Sequence, residues 1–124
     1  MRKIISLCIV IFGVNLANAA EIAHTIHFAP QKTSKIIEGA VVLGDRDIYF
    51  ITARAQQQMS ISISSLEDNA VFSIVSPTGV ELKNASEEDD ATNWSGKLPT
   101  SGRYKIIVGG TRGNATYKLI TKIK

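Results

Sequence analysis

Apolar and polar residues alternate along most of the chain with a period of two. The alternation is clearest at 59–63 and 104–108, where every second side chain is apolar, and at 22–28, where His24 shares the face of Ile22, Ile26 and Phe28. A period of two is typical of a β-strand that buries one face. The same reasoning predicts further strands at 35–43, 47–53, 70–76, 92–98 and 116–123.

Turn-forming residues separate these stretches. Gly44-Asp45, Ser76-Pro77-Thr78-Gly79 and Pro99-Thr100-Ser101-Gly102 lie between predicted strands, and no window carries a convincing helical stripe. A parallel sheet would need helical crossovers. The pattern therefore predicts an all-β protein, an antiparallel β-sandwich of about eight short strands. The acidic segment 80–90 has no period, and we expect a mobile loop there.

The N-terminus has the organisation of a signal peptide. Arg2 and Lys3 precede an apolar run at 4–14, and Ala17-Asn18-Ala19 supplies small residues for cleavage. The run is too short to span a bilayer, which takes about 20 apolar residues. We predict a signal peptide at 1–19 and one domain at 20–124, placed in the periplasm or secreted, with no membrane attachment after cleavage. The alternative is an uncleaved anchor, which a mature N-terminus at Ala20 would exclude.

Composition narrows the classes of function. Cys8, the only cysteine, lies in the apolar run, so the mature chain would hold no disulfide and no thiol. Loss of Arg2 and Lys3 takes the basic count from 14 to 12 against 11 acids, and the net charge from +3 to +1. That balance does not indicate a nucleic-acid partner. Segment 67–90 holds seven acids and one lysine, whereas the chain after it holds seven basic residues and no acid. Such a two-signed surface suits a protein partner.

The chemistry-bearing residues do not form an enzyme pattern. His24 and His27 are three apart and so point to opposite faces of a strand. No serine lies in a Gly-x-Ser-x-Gly elbow, and the carboxylates at 87–90 form one consecutive run. We predict no enzyme, no cofactor and no metal site. Calcium at Asp45, Asp47 or the acidic run is the weaker alternative, because no EF-hand spacing accompanies these residues.

Two features offer binding groups. Trp94, the only tryptophan, is predicted either to plug the core or to anchor an interface. Pro99 and Gly102 predict a tight turn that presents Ser101 and Arg103 ahead of a strand. A rigid turn with such donors can enter a concave partner at little entropy cost. The alternative is that Tyr104 packs inward and the turn is only a turn.

Four segments carry a resemblance to a known family. They are Gly44-Asp-Arg-Asp-Ile-Tyr-Phe50, Pro77-Thr-Gly79, Leu98-Pro-Thr-Ser-Gly-Arg-Tyr104 and Thr111-Arg-Gly-Asn-Ala-Thr-Tyr117. Together they look like bacterial pre-peptidase C-terminal domains, which are small β-sandwiches of exported proteins. Among free-standing members, the chain resembles the periplasmic inhibitors of invertebrate-type and goose-type lysozymes over nearly its whole mature length.

The resemblance implies a partner and a site. A Ser-Gly-x-Tyr loop enters the lysozyme cleft in those inhibitors, and Ser101-Gly102-Arg103-Tyr104 matches it here. Ser101 and Tyr104 would offer hydroxyls to the catalytic carboxyl groups, Gly102 would allow the bend, and Arg103 would flank them. Arg112 and Asn114, in the last of the four matching segments, would make further contacts with lysozyme. The alternative is a stand-alone pre-peptidase-like module that binds carbohydrate or an exported protein, and association into a homodimer stays open.

Overall fold

The structure, a computed structural model, describes residues 21–124. The predicted signal peptide at 1–19 and its cleavage at Ala20 lie outside the described residues. Within 21–124, no helix has the length and apolar character needed to cross a membrane.

Eight β-strands make up the described chain. Their bounds are β1 Glu21–Thr25, β2 Ser34–Val41, β3 Arg46–Ala53, β4 Gln58–Ser64, β5 Ala70–Val75, β6 Asn93–Lys97, β7 Gly102–Gly110 and β8 Ala115–Ile123. The strands predicted from the period of two agree with these to within a few residues at each end. A single turn of 3-10 helix, Glu87–Asp89, lies between β5 and β6.

The strands form two four-stranded sheets that pack face to face. One sheet has the order β1-β3-β7-β5 and the other β2-β8-β4-β6, so that β7 and β8 lie inside their sheets. The predicted β-sandwich is confirmed. One pairing departs from the antiparallel pattern, because β1 lies parallel to β3. The chain leaves β1 for β2 in the opposite sheet and then returns to β3. Because it reverses direction at each of these two crossings, β3 runs in the same direction as β1.

Alternation along the strands builds the core. On β7, Tyr104, Ile106 and Val108 are fully buried, while the intervening side chains remain partly accessible. Met59 and Ile61 of β4 are also fully buried and face them from the other sheet. The pattern of one apolar side chain in two is thus explained by a core that lies between the two sheets.

The acidic segment that was expected to be a mobile loop packs against β5. The backbone N–H of Leu82 donates to Ile74, and Ile74 in turn donates to the carbonyl of Ala85. Leu82, Ala85 and Ala91 are buried against the core. Because β5 is an edge strand, these bonds satisfy backbone groups that would otherwise be exposed. The apolar residues Leu82, Ala85 and Ala91, which are interspersed with the acids, were the signal in the sequence that could have predicted this packing.

A chain of buried polar groups connects the sheets. The Tyr49 hydroxyl of β3 donates to the Tyr117 hydroxyl of β8 at 2.5 Å, and Tyr117 donates to Asp47 Oδ2 at 2.5 Å. Burial raises the pKa of Tyr117 far above its usual range, and the hydrogen bond to Asp47 raises it further. Gly39 leaves the space that this hydroxyl needs, since a Cβ there would lie 2.6 Å from it.

We expect Tyr117→Phe to destabilise the protein more than Tyr49→Phe. The first change leaves the Asp47 carboxylate buried without a hydrogen bond, which costs about 1–3 kcal/mol. The second leaves Asp47 bonded to Tyr117 and removes one bond, worth about 0.5–1.5 kcal/mol. Urea unfolding of both variants measures the difference. Equal losses would contradict a special role for the Tyr117 to Asp47 bond.

Candidate functional site

The turn between β6 and β7 is fixed by its glycine. Gly102 has a φ of 143°, which side chains other than hydrogen rarely tolerate, and a Cβ there would lie 2.8 Å from Pro77. Pro77 belongs to the turn after β5, so the two turns pack together at this end of the sandwich. The prediction that Gly102 allows the bend has this steric basis.

Tyr104 closes the turn from inside the core. It is fully buried, and its hydroxyl donates to the carbonyl of Thr100 at 2.5 Å and accepts the Thr100 N–H at 3.2 Å. A tyrosine bonded to the backbone a few residues upstream is a recurrent device of β-sandwiches. The structure thus differs from the expectation that Tyr104 offers its hydroxyl to a partner. Tyr104 is at a core-facing position of the alternation, so its ring points inward. Its hydroxyl is already hydrogen-bonded to the backbone of Thr100.

Ser101 and Arg103 are the exposed groups of the turn. The Ser101 hydroxyl accepts the N–H of Ala55 at 2.8 Å, which leaves its own proton free to donate outward. The Arg103 guanidinium lies 3.9 Å above the ring of Phe50, an arrangement that restrains the long side chain while its N–H groups stay accessible. Both donors are therefore held in place before any partner arrives.

The loop of the β7–β8 hairpin holds Arg112 and Asn114, the other residues predicted to contact lysozyme. Asn114 Oδ1 accepts the N–H of Leu43, and its backbone carbonyl accepts from Asn69. Arg112 donates to the carbonyl of Glu67 at 3.0 Å. Arg112 and Asn114 are exposed, but these groups also join the hairpin to the β2–β3 and β4–β5 loops.

Glu67 reinforces this junction. Its carboxylate accepts both the backbone N–H and the hydroxyl of Thr116 at 3.0 Å. The bond from the Thr116 backbone is the main cause that lowers the pKa of Glu67 below its usual value. An ionised Glu67 thus helps to fix the loop that carries it.

The structure does not bring all the predicted contact residues together. Ser101, Gly102 and Arg103 lie where β7 begins, whereas Arg112 and Asn114 follow its end. Eight residue steps separate Gly102 from Gly110, or about 26 Å at roughly 3.3 Å per residue. The two segments therefore lie at opposite ends of the sandwich and cannot enter one cleft side by side. The sequence already indicated this separation, because the two segments lie before and after the strand predicted at 104–108.

The two ends carry opposite charge. At the Arg112 end, the loops 42–45, 65–69, 86–92 and 111–114 and the first residues of β1 and β3 hold eight acids and two bases: Glu21, Asp45, Glu67, Asp68, Glu87, Glu88, Asp89, Asp90, Arg46 and Arg112. At the Ser101 end, the loops and strand termini carry five bases: Lys32, Arg54, Lys97, Arg103 and Lys124. We call these the acidic end and the basic end. Arg54 and Lys97 were missed from the sequence because only the fold brings them to the same end of the sandwich as Arg103.

The remaining candidates have structural partners. The exposed His24 ring stacks on Tyr49 with a centroid distance of 5.2 Å. Trp94 is half-buried against the core and donates from Nε1 to the carbonyl of Lys83, which agrees with the core-plug interpretation more than with an exposed anchor. Within residues 21–124, no group of three or more His, Cys, Asp and Glu side chains is placed to hold a metal ion.

The two packed sheets form a β-sandwich with the fold of a pre-peptidase C-terminal domain. The pre-peptidase C-terminal domain of a Bacillus anthracis collagenase superposes with a TM-score of 0.55 at 16% identity, covering 89% of this chain and all of that domain. This likeness shows the fold.

Three solved lysozyme inhibitors resemble the chain more strongly. PliG of Aeromonas hydrophila, a periplasmic inhibitor of g-type lysozyme, matches with a TM-score of 0.75 and 25% identity over 87% of this chain and all of its own. PliG of Salmonella Typhimurium matches at 0.65 and 25%, over 83% and 98% of the two chains. A mutant of the Escherichia coli protein matches at 0.66 and 21%, over 86% and 99%. The resemblance expected from the sequence motifs is confirmed, although no protein-family model and no curated protein matches the chain.

Proposed function

We propose that this protein is a periplasmic inhibitor of g-type lysozyme and not an enzyme. The observation that carries the proposal is its likeness, at up to 25% identity, to PliG structures that it covers almost completely. The basic end, with the turn at Ser101 and Arg103, enters the cleft of the enzyme. Substrate is then excluded by occupation of the cleft.

The chemistry of the turn fits such a cleft. Lysozyme operates with one protonated and one ionised carboxyl group. The Ser101 hydroxyl donates to a carboxylate, and the Arg103 guanidinium adds a charge-assisted hydrogen bond. Gly102 and Tyr104 position the turn, and neither needs to touch the enzyme. Because the turn is held by Pro77, Thr100 and the core, little conformational entropy is lost when it binds.

Charge orients the approach. The basic end faces the negative potential of the catalytic carboxyl groups, while the acidic end, with Arg112 and Asn114, lies on the far side. Opposite charge at opposite ends turns the molecule during the encounter and raises the association rate, an effect that salt screens. Any contact by Arg112 or Asn114 is then made with the rim of the enzyme or with another molecule.

The proposal is tested by titrating the purified protein into a g-type lysozyme and following the lysis of a bacterial cell-wall suspension. We expect near-stoichiometric loss of activity. Chicken-type and invertebrate-type lysozymes, assayed in parallel, report specificity. Unchanged lysis by all three enzymes at molar excess of the protein would overturn the proposal and favour the alternative of a module that binds carbohydrate or an exported protein.

A further inference from the structure

A cavity opens between the free edges of the two sheets, away from both loop ends. Its volume is about 440 Å³, and its lining comes from β1, β2 and β3 with the residue that follows β1. Ile22, Ile26 and Ile37 form apolar walls, and the floor carries Tyr49 and Asp47. β1 is the edge of one sheet and β2 the edge of the other, so no further strand covers the opening among the described residues.

The Asp47 carboxylate at the floor is incompletely satisfied. Asp47 is 7% exposed, and the Tyr117 hydroxyl bonds to Oδ2. Within residues 21–124, no donor is within hydrogen-bond distance of Oδ1, and no basic side chain forms an ion pair with this carboxylate. Buried charges in proteins are normally paired, because desolvation without a partner is costly. The second oxygen is therefore an acceptor that a ligand can use.

The other charged groups of the cavity leave a negative balance. Lys35 and Glu38 also line it, and the Lys35 ammonium donates to the carbonyl of His27 at 3.1 Å. The lining holds two carboxylate residues and one lysine, which gives a formal charge of −1. A cation with an apolar body matches both the charge and the isoleucine walls.

We propose that this cavity binds a small alkylamine, whose primary ammonium forms an ion pair with Asp47 and whose aliphatic chain lies between the isoleucines. The Tyr49 hydroxyl and ring border the position of the ammonium group. A calcium ion would require six to eight oxygen ligands, whereas Asp47 and Glu38 are the only carboxylates among the described residues of this lining. The site is independent of lysozyme inhibition, because it lies on the side of the sandwich and not at the basic end.

The site is held rigid before binding. Tyr117 bonds to Asp47 through Oδ2 and is bonded in turn to Tyr49, so two hydrogen bonds in series restrain the carboxylate in the lining of the cavity. The Tyr49 ring is stacked against His24 of β1. Gly39 of β2 completes the arrangement by leaving room for the Tyr117 hydroxyl.

The test is an NMR titration of the ¹⁵N-labelled protein with pentan-1-amine at neutral pH, with pentan-1-ol as the uncharged control. We expect saturable shifts of the amides at 22–26, 37–40 and 47–49 with the amine, and at least about tenfold weaker binding of the alcohol, because a hydrogen-bonded charge pair is worth about 1.5–3 kcal/mol. Scattered or non-saturating shifts would overturn the proposal. Saturation of the same amides by calcium chloride but not by the amine would also overturn it.

Two variants sharpen the result. Asp47→Asn keeps the shape and removes the charge, and it should weaken amine binding about tenfold or more. Asp68→Asn makes the same change on an exposed loop and should leave binding unaltered. If Asp47→Asn does not fold, Ile22→Gln on the exposed β1 edge serves instead and should reduce affinity several-fold, because it replaces part of the apolar wall with an amide. Unchanged affinity in the folded Asp47→Asn protein, or in Ile22→Gln where it is used, contradicts the site.

Discussion

Replacing Tyr104 with alanine is expected to lower the free energy of unfolding by about 3–5 kcal/mol. The ring is fully buried between the sheets, and its removal leaves a large cavity beside Ile106. The same change also frees the Thr100 backbone, which the tyrosine hydroxyl fixes. Urea unfolding measures the loss, which is a large part of the 5–15 kcal/mol typical of a whole domain.

Tyr104→Phe separates the ring from the hydroxyl. The phenylalanine keeps the core filled but releases Thr100, so we expect a loss of about 0.5–1.5 kcal/mol together with weaker lysozyme inhibition by a folded protein. Inhibition that weakens while the core stays intact would mark Tyr104 as a positioning residue for the turn. Undiminished inhibition by this variant would show that the turn does not depend on the hydroxyl.

Reversing the charge of Arg103 is expected to weaken lysozyme inhibition about 100-fold. Arg103→Glu replaces a charge-assisted bond with repulsion from the catalytic carboxyl groups, and truncation of a buried interfacial charge alone costs about 2–5 kcal/mol. Arg103 is exposed, so the fold should tolerate the change. The inhibition constant, measured at low and at high salt, reports the effect.

Arg112→Glu is the matched control for Arg103→Glu. It makes the same change of net charge at the acidic end, beyond the far end of β7. We expect a change in the inhibition constant of about threefold or less, and that change should shrink further as salt screens the long-range field. A larger effect from Arg112→Glu than from Arg103→Glu would show that lysozyme meets the acidic end instead.

The strands were predictable from the sequence because burial of one face against the core determines their pattern of apolar residues. Residues such as Ile61 and Ile106 face a single core between two sheets, and a period of two follows directly from that burial. Gly102 was predictable as a bend for a similarly local reason. The parallel β1–β3 pair was not, since it depends on which sheet β2 joins.

The site was less predictable because it depends on contacts between distant segments. The alternation placed Tyr104 on the core side, but only the structure shows that Thr100 occupies its hydroxyl. The resemblance placed Ser101 and Arg112 in one inhibitor site, whereas the length of β7 separates them. The polar chain from Tyr49 to Asp47 joins residues of different sheets that no local pattern relates.

The central positions of β7 and β8 have a consequence for how the chain is made. In one sheet, β7 lies between β3 and β5, so those two strands are not connected until β7 has been made. In the other sheet, β8 lies between β2 and β4 in the same way. A polypeptide synthesised or threaded through a membrane from its N-terminus therefore carries six strands that cannot yet close into a sandwich. Late completion of this kind delays closure of both sheets until the final hairpin is available, and the non-local pairing it requires is typical of slow-folding β-sandwiches.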